Sequence, residues 1–150
     1  MPLTSIASFQ LPATGGKTFN QSLKGESYIL YCYPKDNTPG CSQQASQFRD
    51  LYPQFVACGY AIYGLSRDSL KSHENFKKKF DLPFELVSDT EEIACLSLDV
   101  MKMKNMYGKQ VRGIERSTFV IDGKGKILKQ WRGVKVPGHA EEVLKTIQTL

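Results

Sequence analysis

Two residue types in this 150-residue chain can serve as nucleophiles or metal ligands of the soft kind. There are four cysteines, at 32, 41, 58 and 95, and two histidines, at 73 and 139. None of the cysteines forms a Cys-x-x-Cys pair, and no His/Cys set has ligand spacing. A zinc site, a disulfide framework and dithiol exchange are therefore not expected. Cys41 stands apart by its surroundings. It ends the run Pro34-Lys35-Asp36-Asn37-Thr38-Pro39-Gly40-Cys41, which is too rich in turn residues to be a core segment. It precedes Ser42 to Leu51, where Ala45, Phe48 and Leu51 recur at helical spacing. A helix N-terminus has unpaired N–H groups and partial positive charge, and both stabilise a thiolate. The chemistry expected of Cys41 is therefore nucleophilic attack.

The element that must deliver Cys41 is the apolar, aromatic run Tyr28 to Tyr33, a buried strand by composition. Cys32 lies within it as a packed thiol. The helix after Cys41 meets Pro53, which should kink or end it, with a kinked continuation to about Cys58-Gly59. Tyr60 to Ser66 reads as a second buried strand. Arg67-Asp68-Ser69 supplies capping chemistry for a helix from Leu70 to Phe80. On that helix His73 is read as a packing or surface residue in preference to a catalytic base. Phe84 to Val87 is a short strand, and Ser88 to Glu92 offers a capping box for a helix carrying Ile93, Leu96 and Val100. Residues 101–113 read as a polar, basic loop with three methionines. Arg116 to Asp122 and Ile127 to Arg132 form a hairpin around Gly123-Lys124-Gly125-Lys126. His139 to Leu150 is an amphipathic helix with Val143, Leu144, Ile147 and Leu150 on one face. At the start, Phe9 to Leu11 and Thr18-Phe19 flank a glycine turn as two short strands, and Ser22 to Gly25 leads into the first central strand. One domain, 1–150, of α/β class with a mixed sheet flanked by helices is expected.

The spacing Pro34, Thr38, Cys41 resembles the peroxiredoxin active-site pattern. The wording Tyr33-Pro34-Lys35-Asp36-Asn37-Thr38-Pro39-Gly40-Cys41 is similar to the Q-type subgroup, the bacterioferritin comigratory proteins. Three further runs resemble that subgroup: Gly64 to Ser69, Leu86 to Asp89 and Gly113 to Phe119. The resemblance implies a thioredoxin-like fold with an N-terminal β-hairpin extension, and a thiol-dependent peroxidase that needs no cofactor. Hydrogen peroxide and organic hydroperoxides would be its substrates. Cys41 would attack the peroxide and become a sulfenic acid. The Thr38 hydroxyl can accept from the peroxide and donate to the thiolate, and backbone N–H groups near Gly40 and Cys41 can hold the polar oxygens. A cation should complete the site. The residues leave the choice among the arginines open, and the resemblance selects Arg116. Pro34 would shield the thiolate.

Many Q-type members carry a resolving cysteine five residues after the nucleophile, where this chain has Ser46. Others carry it in the next helix, where this chain has Lys77 after Ser72-His73-Glu74-Asn75-Phe76. Cys95, Cys58 and Cys32 remain, all expected to be packed. A one-cysteine cycle is therefore expected, regenerated by thioredoxin or a small-molecule thiol, with an internal disulfide through Cys95 as the alternative. Two rivals differ in chemistry. A thioredoxin-like disulfide reductase lacks its Cys-x-x-Cys here, and a non-catalytic redox sensor or holdase would not turn over repeatedly.

Composition sets the outer limits. Hydrophobic residues make up 41% and charged residues 23%, as in soluble globular chains. No apolar run approaches a membrane span, and no basic-then-apolar leader precedes Phe9, so a cytoplasmic protein is expected. The net charge of +5 is spread thinly, with clusters at Lys77-Lys78-Lys79 and around 101–112, and no nucleic-acid signature accompanies it. No nucleic-acid or membrane partner is expected, and the resemblance implies a monomer.

Overall fold

Strand β3 (Ser27–Cys32) is buried along nearly its whole length because it is paired on both sides. It runs parallel to β4 (Tyr60–Ser66) and antiparallel to β8 (Ser117–Ile121). The structure is a computed structural model that describes residues 5–7, 9–20 and 26–150; the expected lead-in at Ser22 to Gly25 lies outside these. Strand β5 (Glu85–Ser88) continues the parallel set beside β4, and β9 (Ile127–Arg132) pairs antiparallel with β8. The N-terminal hairpin, β1 (Gln10–Ala13) and β2 (Lys17–Asn20), docks antiparallel on β5. The resulting order is β2-β1-β5-β4-β3-β8-β9, a mixed sheet of the expected thioredoxin-like kind.

Period-two alternation along β3 divides the core. Ile29, Tyr31 and Tyr33 face one side with Phe48 and Phe55 of α1 (Pro39–Ala57), Phe76 of α2 (Leu70–Phe80) and Val143 of α4 (His139–Ile147). Tyr28, Leu30 and Cys32 face the other, with Phe9, Phe19 and residues Ala94 and Cys95 of α3 (Ile93–Ser97). No helix among the described residues is long and apolar enough to cross a membrane.

Five local expectations are corrected. Residues 101–113 form no loop: β6 (Met101–Met106) and β7 (Lys109–Ile114) make a separate two-stranded hairpin. Its turn, Tyr107-Gly108, has φ of 54° and 79°, the twist that suits a two-residue hairpin loop. Much of this hairpin is exposed, so it shows little hydrophobic alternation in the sequence. Helix α3 buries Ala94 and Cys95 and exposes Ile93 and Leu96. No capping box starts it. The Asp89 carboxylate instead accepts from the backbone N–H groups of Ile93 and Cys95, each at 2.8 Å. Cys58 is exposed, because it caps α1 beyond Phe55, the last buried residue of that helix. Leu150 likewise lies beyond the end of α4 and is exposed.

Gly64, at the centre of β4, has no room for a methyl group. A Cβ there would lie 2.8 Å from Leu86 Cδ2 and from Tyr31 Cζ. Gly64→Ala is expected to lower unfolding free energy by roughly 1–3 kcal/mol through overpacking, measured as a lower urea midpoint. His139 is buried at the start of α4 with Nε2 2.8 Å from Thr118 Oγ1. Burial, with a smaller contribution from the Arg116 charge and against the pull of Glu142, pushes its pKa down from 6.5 to about 4. The unfolded chain then binds the proton more readily between these values, so this contribution to stability is present above pH 6.5 and is lost as pH falls toward 4. Urea midpoints measured across that range should fall more steeply for the wild type than for His139→Asn.

Candidate active site

The end of β3 feeds a loop that the backbone holds closely. Tyr33 N–H still donates to Leu65 O at 3.0 Å, after which Pro34 turns the chain away from the sheet. Asn37 takes a left-handed φ of 63°, a conformation asparagine tolerates better than most residues. Thr38 is extended as the N-cap of α1, and Pro39 follows at the first helical position, where its missing N–H costs nothing. Cys41 therefore lies in the first turn of α1, with only 1% of its surface exposed.

Arg116 reaches Cys41 from the other side of β3. It sits immediately before β8, whose register sets Ser117 opposite Cys32 at the end of β3. From there Arg116 Nη2 lies 3.4 Å from Cys41 Sγ, and Nη1 donates to Gln44 Oε1 at 2.6 Å. Gly40 leaves room for the approach: a Cβ there would lie 3.2 Å from Arg116 Nη2 and would crowd the guanidinium. The cluster thus comprises a thiol at a helix N-terminus, a guanidinium on its sulfur, and an amide that orients the guanidinium. Such a set can hold a thiolate and stabilise negative charge developing on a small polar substrate.

Pro34 is half-buried in the loop between β3 and α1. The Thr38 hydroxyl donates its proton to Lys35 O at 2.9 Å, so in this arrangement its oxygen is left to accept. That differs from the expected double role, because the tight loop brings the Lys35 carbonyl within reach. Gln44 is the site residue that sequence reasoning missed. It is buried one turn after Cys41, and its Nε2 has no partner among the described residues. A glutamine on the inward face of an amphipathic helix, at position i+3 from the reactive cysteine, was the available signal. Lys104 was missed with its hairpin. It is half-buried, donates to Ile114 O, and has its pKa lowered by burial and by the Arg116 charge.

The remaining thiols are elsewhere. Cys32 and Cys95 belong to the core on the opposite face of the sheet from Cys41, and burial pushes both thiols far up. Ser46 is half-buried on α1. Lys77 donates to Glu85 Oε1 at 2.5 Å, and Glu85 also binds Lys17 at 3.0 Å and Thr14 at 2.6 Å. This cluster ties α2 to the N-terminal hairpin and β5. Both ring nitrogens of His73 are engaged, by Asp36 at 2.7 Å and by Val87 O at 2.9 Å. Asp36, Asp68 and His73 each place one donor atom within 4.8 Å of the others, but all of these atoms are taken up by protein hydrogen bonds.

The AhpC/TSA family model matches residues 3–130. Peroxiredoxin Bcp of Xanthomonas campestris is 48% identical over 145 residues, covering 95% of this chain and 91% of that protein. Peroxiredoxin Bcp of Bacillus subtilis is 44% identical over 142 residues, covering 94% and 90%. The solved structure of Xanthomonas campestris peroxiredoxin Q superposes with a TM-score of 0.90 at 43% identity, covering 97% of each chain. Fold, sequence and the thiol–guanidinium pair agree: the chain belongs to the AhpC/TSA family as a peroxiredoxin of the Bcp or Q type, an oxidoreductase acting as a thiol peroxidase.

Proposed function

We propose that Cys41 is the peroxidatic residue and that it works in a one-cysteine cycle. The observation that carries the reading is the Arg116 guanidinium 3.4 Å from the Cys41 sulfur at the first turn of α1. In the first step the thiolate attacks one peroxide oxygen in line with the O–O bond. The sulfur takes that oxygen as a sulfenic acid, and the other leaves as hydroxide or alkoxide and is protonated to water or an alcohol. Arg116 stabilises the charge as it moves from sulfur to the leaving oxygen. The Thr38 oxygen accepts from the peroxide hydrogen, the N–H groups at Gly40 and Cys41 hold the polar oxygens, and Pro34 limits water around the sulfur. Gln44 acts through Arg116 as a positioning residue. Hydrogen peroxide and organic hydroperoxides both fit this open chemistry. A structurally similar bacterioferritin comigratory protein from Xanthomonas campestris is described by its alkyl peroxide reduction activity.

Three geometric facts favour an external reductant. Cys58 is at the far end of α1, about 25 Å from Cys41 at 1.5 Å per residue. Cys32 and Cys95 are in the core across the sheet. A disulfide needs Cα atoms within about 7 Å, so each pairing would require unfolding part of the chain. The cycle closes when one external thiol condenses with the sulfenic acid, releasing water, and a second thiol reduces the mixed disulfide. Thioredoxin or a small-molecule thiol fills this role. The same reading makes the chain a cytoplasmic monomer, where the other three thiols stay reduced.

Two measurements test this. The intact mass of reduced protein after one equivalent of hydrogen peroxide should rise by one oxygen, and a Cys41→Ser control should stay unchanged. Loss of two hydrogens instead would mean an internal disulfide and would overturn the one-cysteine cycle. In stopped-flow oxidation, Arg116→Met should slow the reaction roughly 100-fold and Gln44→Leu roughly 3- to 10-fold, by loss of oriented charge. Equal rates for wild type and Arg116→Met would remove Arg116 from the mechanism.

A further inference from the structure

Behind the nucleophile loop lies a buried polar network that the peroxidase chemistry does not use. Asp36 accepts from the Tyr33 hydroxyl at 2.6 Å on Oδ1 and from the Ser72 hydroxyl at 2.8 Å on Oδ2. His73 Nδ1 lies 2.7 Å from the same Oδ2. The backbone N–H of Asp36 donates to Asp68 Oδ2 at 2.8 Å, and Lys79 donates to Asn37 Oδ1 at 2.9 Å. Residues 36 and 37, the turn that sets up Thr38 and Cys41, are thus fastened by both backbone and side chains to α2 and to the end of β4.

His73 is the member that ties this network to the sheet. Its Nε2 faces Val87 O of β5 at 2.9 Å, and a carbonyl can only accept, so Nε2 carries a hydrogen. The pair is fully enclosed, with side-chain exposures of 0% for His73 and 3% for Asp36. Removing one partner would leave the other buried and incompletely bonded, which displaces the loop instead of merely loosening it.

We infer that His73 is a positioning residue for peroxide reduction: through Asp36 it holds the Pro34–Thr38 loop against β5, so that the loop meets the Cys41 sulfur in reactive geometry. The inference rests on Cys41 being the peroxidatic residue. Two halves of the site then have separate supports. Arg116 is set by the β3–β8 register, and the loop is set by the Asp36–His73 pair on α2.

The test compares two reagents that consume the same thiolate. Hydrogen peroxide needs the aligned loop, whereas iodoacetamide needs only an accessible thiolate at Cys41. His73→Leu should slow oxidation of Cys41 by hydrogen peroxide about tenfold, while alkylation by iodoacetamide stays within about twofold of wild type. Tyr33→Phe keeps the ring stacked on Tyr31 and removes only the hydroxyl on Asp36. It should show the same divergence at about threefold, and it decides the matter if His73→Leu does not unfold cooperatively. Unchanged peroxide rates, or a parallel fall in both reactions, would overturn the inference while leaving the peroxidase reading intact. A wild-type chain that is alkylated at Cys41 yet inert to peroxide would overturn that reading and the inference with it.

Discussion

The contact between the Arg116 guanidinium and the Cys41 sulfur hangs on the register between β3 and β8. The two strands are antiparallel neighbours with Cys32 opposite Ser117, and that pairing places the residue before β8 beside the segment leaving β3. Arg116 thereby meets a cysteine 75 positions away in sequence. A slip of one residue would reverse every side chain of β8 between the two faces and carry the guanidinium off the sulfur. Burial specifies the register tightly. All five residues of β8 are buried, as are residues 28 to 32 of β3, so a slip would exchange the side chains packed into the two halves of the core and mispack both.

The same alternation allots the thiols. Along β3 odd-numbered residues face α1, α2 and α4, and even-numbered ones face α3 and the N-terminal segment. Cys32 is even-numbered and packs with Cys95 of α3, whereas Cys41 starts the helix on the opposite face. A sheet therefore separates the Cys41 sulfur from the buried thiols of Cys32 and Cys95, and the full length of α1 separates it from the exposed Cys58. At the two positions where the resemblance would place a second redox cysteine, this chain has Ser46 and Lys77, the latter engaged with Glu85.

Neighbouring layers were not equally legible. The strands of the main sheet announce themselves because buried strands need apolar, β-branched or aromatic residues, and the loop before Cys41 because tight turns need proline, glycine and asparagine. The hairpin over residues 101–114 was hidden, since strands that are largely solvated carry no alternation to read. Helix α3 misled for a related reason. Asp89, within the expected run Ser88 to Glu92, does serve its start, but by accepting from amides four and six residues on and not through a capping box, and the apparent apolar face was not the buried one.

Within the candidate site, the sequence by itself determined that Cys41 begins a helix and that a tight loop turns into it, all within the run from Tyr28 to Leu51. These features are local: propensity, turn chemistry and helical periodicity act over a few residues and leave their mark in order along the chain. Tertiary structure alone decided the rest. Arg116 was legible only through the family resemblance of the run Gly113 to Phe119; that its guanidinium meets Cys41, that Gln44 binds it, that the Thr38 proton goes to Lys35, and that His73 holds Asp36 from 37 residues away all follow from strand register and helix docking. Such contacts are set by how whole elements pack, and packing is a property of the assembled core that no stretch of sequence contains alone.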